Sequence, residues 1–150
     1  MKTIIRLLII AFVVLPVSFA TLARAEETPP NLAGVKLVTA SEAQKLQSSG
    51  AAILDVRVAA EYGESHITGA ISVPYREKSA KNVNYDASQD EFAVAKLPAD
   101  KKTPLVMYCN GPECWKSYKA AIAAQKAGYS EVHWFRGGFP EWKAAGLPVE

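Results

Sequence analysis

Apolar residues in this chain gather into short blocks, and the gaps between them carry helix signals. Residues 51–57, Ala-Ala-Ile-Leu-Asp-Val-Arg, form an apolar run that ends in charge, the pattern of a strand covered on both faces. Residues 70–74 predict a second short strand, closed by Pro74. Residues 104–108 predict a third, with Cys109 at its carboxyl end, and residues 131–135 a fourth. Thr39-Ala40-Ser41-Glu42 is a capping box, opening a helix that runs to about Ser48 and stops at Gly50. Residues 59–63 predict a helical turn, and residues 92–97 a helix ended by Pro98. The alanine-rich stretch 116–127, stopped by Gly128, predicts a longer helix able to lie close against a sheet. A last short helix is expected over 140–145, after Gly137-Gly138. Residues 75–90 are polar without a period and read as a long loop or insertion.

Strands alternating with helices predict an α/β domain, a mostly parallel sheet with helices on both faces. Ligands of such sheets bind beyond the carboxyl ends of the strands. Cys109 stands at such an end, just before a helix.

The amino terminus changes the charge reading. Met1 to Arg6 is a short basic leader, residues 7–20 are almost unbroken apolar sequence, and Ala23-Arg24-Ala25 offers small residues at the positions a signal peptidase reads. We read residues 1–25 as a secretory signal peptide cleaved after Ala25. An apolar run of about fourteen residues, interrupted by Pro16, falls short of the ~20 needed to span a bilayer, so no stable membrane insertion is expected after cleavage. Without Lys2, Arg6 and Arg24 the chain keeps 14 basic residues against 15 acidic, a net charge of −1 in place of +2. No basic run suggests nucleic acid. The expected location is the periplasm. Residues 26–34, with Pro29-Pro30, read as a flexible arm, and residues 35–150 as one domain.

An exported chain whose only cysteines are Cys109 and Cys114 is ordinarily read as carrying one disulfide. A metal clip lacks ligands, since His66 and His133 lie elsewhere and no second cysteine pair exists. A reactive thiol is the third reading. At the mouth of a strand–loop–helix turn a sulfur meets unpartnered amides and the positive end of the helix dipole, which favour the thiolate. Gly111 lets the loop curl its amides inward, while Lys116 and Ser117 add a cation and a hydroxyl. Such a cradle would also hold an incoming oxyanion. The loop Asn110, Gly111, Pro112, Glu113, Trp115, Lys116, Ser117 is therefore the candidate anion site around Cys109. No organic cofactor and no metal is called for.

Three ordered blocks resemble rhodanese-like domains. Leu54-Asp55-Val56-Arg57, Glu61-Tyr62 and residues 66–74 (His-Ile-Thr-Gly-Ala-Ile-Ser-Val-Pro) are similar to the first family block. GYSEVHWFRGGFPEWKAAGLPV, residues 128–149, is similar to the last, and VMYCN…KSYKAA falls at the family's catalytic loop. The resemblance covers residues 35–149 and implies a five-stranded α/β domain with Cys109 as the sulfur-carrying nucleophile. It implies that Asp55 and Arg57 support the active-site end of the sheet, and that His66 orders a turn. It also implies a departure: common single-domain members place arginine and serine five and six residues after the cysteine. Here Lys116 and Ser117 follow at seven and eight, and lysine loses a bidentate oxyanion contact.

Three functions follow as expectations. One is a sulfurtransferase working through a Cys109 persulfide, with Cys114 resolving it to a disulfide that a periplasmic redox protein reduces. Its substrates would be a small sulfur compound and a thiol acceptor. A second is redox or phosphatase-like use of the same loop. The third is a non-catalytic binding module locked by a structural Cys109–Cys114 disulfide.

Overall fold

The computed structural model describes residues 26–150; the expected signal peptide lies outside them. Chain order runs β1 (Lys36–Leu37), α1 (Ala40–Ser48), β2 (Ala52–Asp55), α2 (Ala59–Glu64), β3 (Ile71–Ser72), β4 (Tyr75–Arg76), β5 (Glu91–Phe92), β6 (Leu105–Tyr108), α3 (Trp115–Lys126), β7 (Val132–Phe135) and α4 (Gly138–Ala144). Five strands make one sheet in the order β1-β7-β6-β2-β3, and every pairing in it is parallel. β4 and β5 form a separate antiparallel pair. No helix among the described residues is long and apolar enough to cross a membrane.

The apolar runs read as doubly covered strands are doubly covered. Leu54, Leu105, Met107 and Cys109 pack with Ala120, Ala121 and Ala124 of α3. Ile53, Val106 and Tyr108 turn the other way, onto Ala40 and Ala43 of α1 and Phe139 and Trp142 of α4, as the two-residue period of a strand requires. Each fully buried Leu, Ile or Val side chain is worth about 1.5–3 kcal/mol over an exposed one. The alanines of α3 bury almost no side chain of their own, and so bring the helix backbone close to the sheet. At the start of α1 the capping box forms: the Glu42 amide donates to the Thr39 hydroxyl, and the Thr39 amide to the Glu42 carboxylate (2.8 Å).

β6 is the central strand, and Asp55, Tyr108 and Phe135 lie in one row across β2, β6 and β7 at the carboxyl edge. Cys109 follows immediately.

The structure adds one element and changes two expectations. β1, an edge strand of two residues, was not visible in the pattern. Residues 92–97 are not an α-helix: Phe92 pairs with Tyr75, and only a 3-10 turn, Val94–Lys96, follows. Pro98 denies Leu97 helical geometry, leaving too few residues for a second turn. The expected flexible arm, residues 26–34, is docked: Thr28 is 2% exposed, and its amide donates to the Pro112 carbonyl at 2.8 Å.

Candidate functional site

At the carboxyl edge of the sheet, level with Tyr108, lies a buried ion pair. The Arg57 backbone amide donates to Asp55 Oδ1 (2.9 Å), its Nε to both carboxylate oxygens (3.0 Å each) and its Nη2 to Oδ2 (2.6 Å). Nη2 also donates to the Ser65 carbonyl, and the guanidinium sits 4.2 Å from the Phe139 ring centroid. The Tyr108 hydroxyl donates to Asp55 and accepts from the Ile67 amide. Burial works against the Arg57 charge, but the Asp55 contacts outweigh it and hold its pKa above the ordinary value. Burial, reinforced by the Asp55 charge, keeps the Tyr108 hydroxyl protonated. Asp55 and Arg57 thus brace the strand ends and α4. Tyr108 and Phe139, missed because they look like ordinary core aromatics, complete the brace.

The loop itself is closed by a Cys109–Cys114 disulfide, with alpha carbons 6.1 Å apart, inside the range a disulfide spans. Cys109 is 1% exposed and Cys114 half-buried. Gly111 has φ +114°, a conformation that side chains disfavour, and the Cys114 amide closes the turn onto the Gly111 carbonyl at 3.0 Å. Cys114 is also the N-cap residue of α3, with no side-chain cap hydrogen bond. The sulfur pair therefore ends at the pole of the helix that carries its unpartnered amides.

α4 clamps the other side. The Phe139 amide donates to the Cys109 carbonyl at 2.8 Å. Gly138 has φ +61°, and a Cβ there would fall 2.2 Å from that carbonyl oxygen. The approach admits only glycine.

The remaining loop residues separate. Asn110 is exposed and its amide donates to Glu61. Pro112 and Glu113 are half-buried. Trp115 turns inward onto Tyr118 (centroids 5.3 Å apart). Ser117 does not join an anion cradle: its hydroxyl accepts from the Trp134 indole (3.0 Å) in the core. The signal for this was its spacing with Ala120, Ala121 and Ala124 on one helical stripe. Lys116 faces a groove of about 410 Å³ that also involves Val58, Ala59, Pro74, Arg76 and Glu77. His66 stacks on Tyr62 (3.6 Å) and meets Glu150 (3.2 Å), in keeping with a role in ordering its turn. Among the described residues, no group of three or more His, Cys, Asp or Glu side chains is placed to hold a metal.

The stretch 75–90 is held by a second buried charge cluster. Lys119 Nζ, 0% exposed, reaches Glu77 (2.9 Å), Asp90 (3.5 Å) and the Ser79 hydroxyl (2.8 Å). Asp90 also accepts from the Lys78 and Ser79 amides and from the Ser79 and Tyr75 hydroxyls. Burial would raise the Asp90 pKa, but the Ser79, Lys78 and Tyr75 hydrogen bonds prevail and hold it well below the usual carboxylate range. The insertion thereby places Glu77 and Arg76 at the groove beside Lys116.

Comparison with known proteins identifies the domain family. A model of the rhodanese-like domain matches residues 39–145. A protein named thiosulfate sulfurtransferase GlpE from Pseudomonas fluorescens is 32% identical over 115 residues, 77% of this chain and 90% of that protein. An HTH-type transcriptional regulator of Mycobacterium tuberculosis is 32% identical over 114 residues, 75% of this chain, and the chain spans only 44% of that protein's length. Among solved structures, a Bacillus halodurans protein shares the fold with a TM-score of 0.58 at 24% identity, covering 77% of this chain and 76% of that one. The matched span takes in β2 through α4, the Asp55–Arg57 brace and the cysteine loop, and this chain belongs to the rhodanese-like domain family.

Proposed function

We propose that this domain is an exported sulfurtransferase that carries sulfane sulfur as a persulfide on Cys109 and hands it to a thiol acceptor. The observation that carries this reading is the joining of Cys109, at the end of the central strand, to Cys114 at the N-cap of α3. The relatives named thiosulfate sulfurtransferase support it. Export is supported by the leader pattern of residues 1–25, and the location proposed is the periplasm.

The disulfide is the resting oxidised state. A dithiol reductant attacks Cys114, the more exposed of the two cysteines; the disulfide bond breaks and Cys109 leaves as a thiolate beside the α3 pole. The reductant's second thiol then frees Cys114. The Cys109 thiolate attacks the outer sulfur of thiosulfate, forming a sulfur–sulfur bond as sulfite departs with the electron pair of the bond that breaks. Lys116, in the first turn of α3 next to the N-cap Cys114, supplies positive charge for such an anion. The persulfide has two exits. An acceptor thiolate takes the terminal sulfur and returns Cys109 as thiolate. Alternatively, the Cys114 thiolate attacks Cys109 Sγ, expels hydrosulfide and restores the disulfide, the two cysteine thiols having supplied two electrons.

Intact mass spectrometry of the reduced protein with thiosulfate tests the reading: one added sulfur is expected, absent in Cys109→Ser. In Cys114→Ser the adduct should outlive that of the wild type, and an unchanged lifetime removes Cys114 from the resolving role. Export is tested by fractionating bacteria expressing the full chain, where the mature mass should begin at Glu26.

A second reading has its own observation, the near-complete burial of Cys109. There the disulfide is a permanent lock and the domain binds a partner without chemistry. No added sulfur from any sulfane donor, with a pair that resists reduction in the folded protein, would select it.

A further inference from the structure

We propose that Thr28 and Arg136 are positioning residues for the cysteine pair, clamping its loop in the cross-linked shape and so setting how readily the pair is oxidised. Thr28 belongs to the arm, outside the residues matched by the family model. Its backbone amide (2.8 Å) and its Oγ1 (2.7 Å) both donate to the Pro112 carbonyl, midway along the loop between the two cysteines. Two residues earlier, the Glu26 carbonyl accepts from the Trp115 indole Nε1 at 3.0 Å, directly after Cys114. Arg136, which follows β7, locks the arm from behind. Its Nε donates to Thr28 Oγ1 (3.1 Å), its Nη2 to the Thr28 carbonyl (2.7 Å), and it pairs with Glu27 (3.2 Å).

These contacts bear on the stretch that makes this loop long. A longer loop has more conformations to lose when its ends are tied, and the arm removes that freedom at Pro112 and Trp115. The loop is seen cross-linked while these contacts are made. Contacts that favour one form of an equilibrium shift it by their differential free energy. Breaking them therefore weakens the oxidised form against the reduced one.

The equilibrium in question is balanced by glutathione. One disulfide and two glutathione thiols give two cysteine thiols and one glutathione disulfide, with two electrons passing from glutathione to the protein. The full chain and its variants are equilibrated at a fixed ratio of reduced to oxidised glutathione, quenched by acid and alkylated, and the redox forms counted by mass. Thr28→Val keeps the backbone amide and the shape but loses the hydroxyl. We expect its oxidised-to-reduced ratio to fall about five- to tenfold, the size of one or two lost hydrogen bonds, and Thr28→Ser to restore it. Arg136→Lys, which keeps the charge without the forked donors, should shift the ratio in the same direction and serves if Thr28→Val folds poorly. Melting temperatures of both redox forms accompany the measurement. A merely structural arm lowers both forms equally and leaves the ratio within twofold of wild type, which overturns the proposal, as does a Thr28→Ser variant no better than Thr28→Val. No thiosulfate enters the experiment, so its failure leaves the sulfur-transfer reading standing, and absence of sulfur transfer in a pair that still exchanges with glutathione leaves this one; a pair that resists reduction altogether overturns both.

Discussion

Arg57 and Lys119 are both buried cations, and they are neutralised in opposite ways. Arg57 takes its partner from two residues away, through a rigid fork on Asp55, so the pair forms with its own strand and turn. Lys119 reaches Ser79 across 40 residues of chain, and it meets two carboxylates, Glu77 and Asp90, instead of one. The first pair, joined by the Tyr108 hydroxyl, braces the strand ends next to Cys109. The second fastens an insertion whose edge forms one wall of the groove beside Lys116. Charge burial thus braces the strand ends in one place and anchors a loop in the other.

Removing one member of a buried ion pair costs about 3–5 kcal/mol because the survivor is left uncompensated. Arg57→Ala and Lys119→Ala should each lower stability by that order in denaturant unfolding. They should part in function: among folded molecules, sulfur uptake by Cys109 falls in Arg57→Ala and persists in Lys119→Ala. Equal loss in both would erase the distinction. Next in size is a matched pair of hydroxyl deletions, Tyr108→Phe at Asp55 and Ser79→Ala at Asp90. Each removes a hydrogen bond to a charged group, worth about 1.5–3 kcal/mol, and only Tyr108→Phe should slow sulfur uptake.

Acid supplies a finer cut. Hydrogen bonds hold Asp90 below its ordinary pKa against the pull of burial. Its contribution to stability is therefore complete above the unfolded-state value, about 3.9, and is lost as pH falls toward the folded one. Denaturant midpoints measured downward from pH 6 should fall below about pH 4 in the wild type, and more shallowly in Asp90→Asn. An identical acid slope would show that Asp90 does not carry it. The smallest effect is expected at the Thr39 cap, remote from both clusters, where Thr39→Ala costs about 1 kcal/mol and leaves sulfur uptake unchanged.

What the sequence displays follows from the range of the forces involved. The β2 and β6 runs, the Thr39 box and the position of Cys109 were legible because each is written in adjacent residues. Asp55 and Arg57 were singled out by resemblance, and their contact spans only two residues of chain. β1 was not legible, since two residues have no period. The β4–β5 pairing stayed hidden because it depends on Asp90, Ser79 and Lys119 meeting across the chain. The docking of Thr28 on Pro112 joins residues 84 apart, and Pro29-Pro30 gave no sign of it. Ser117 was misread because its place next to a charged, helix-opening lysine outweighed its place on the alanine stripe.

The close seating of Gly138 against the Cys109 carbonyl has an engineering consequence. Since that contact is backbone on backbone, residues inserted after Cys109 have nowhere to go on the α4 side and must swell outward. Loops of different length taken from other family members should therefore be exchangeable as cassettes between Asn110 and Trp115 while the sheet stays as it is, provided the glycine is left untouched.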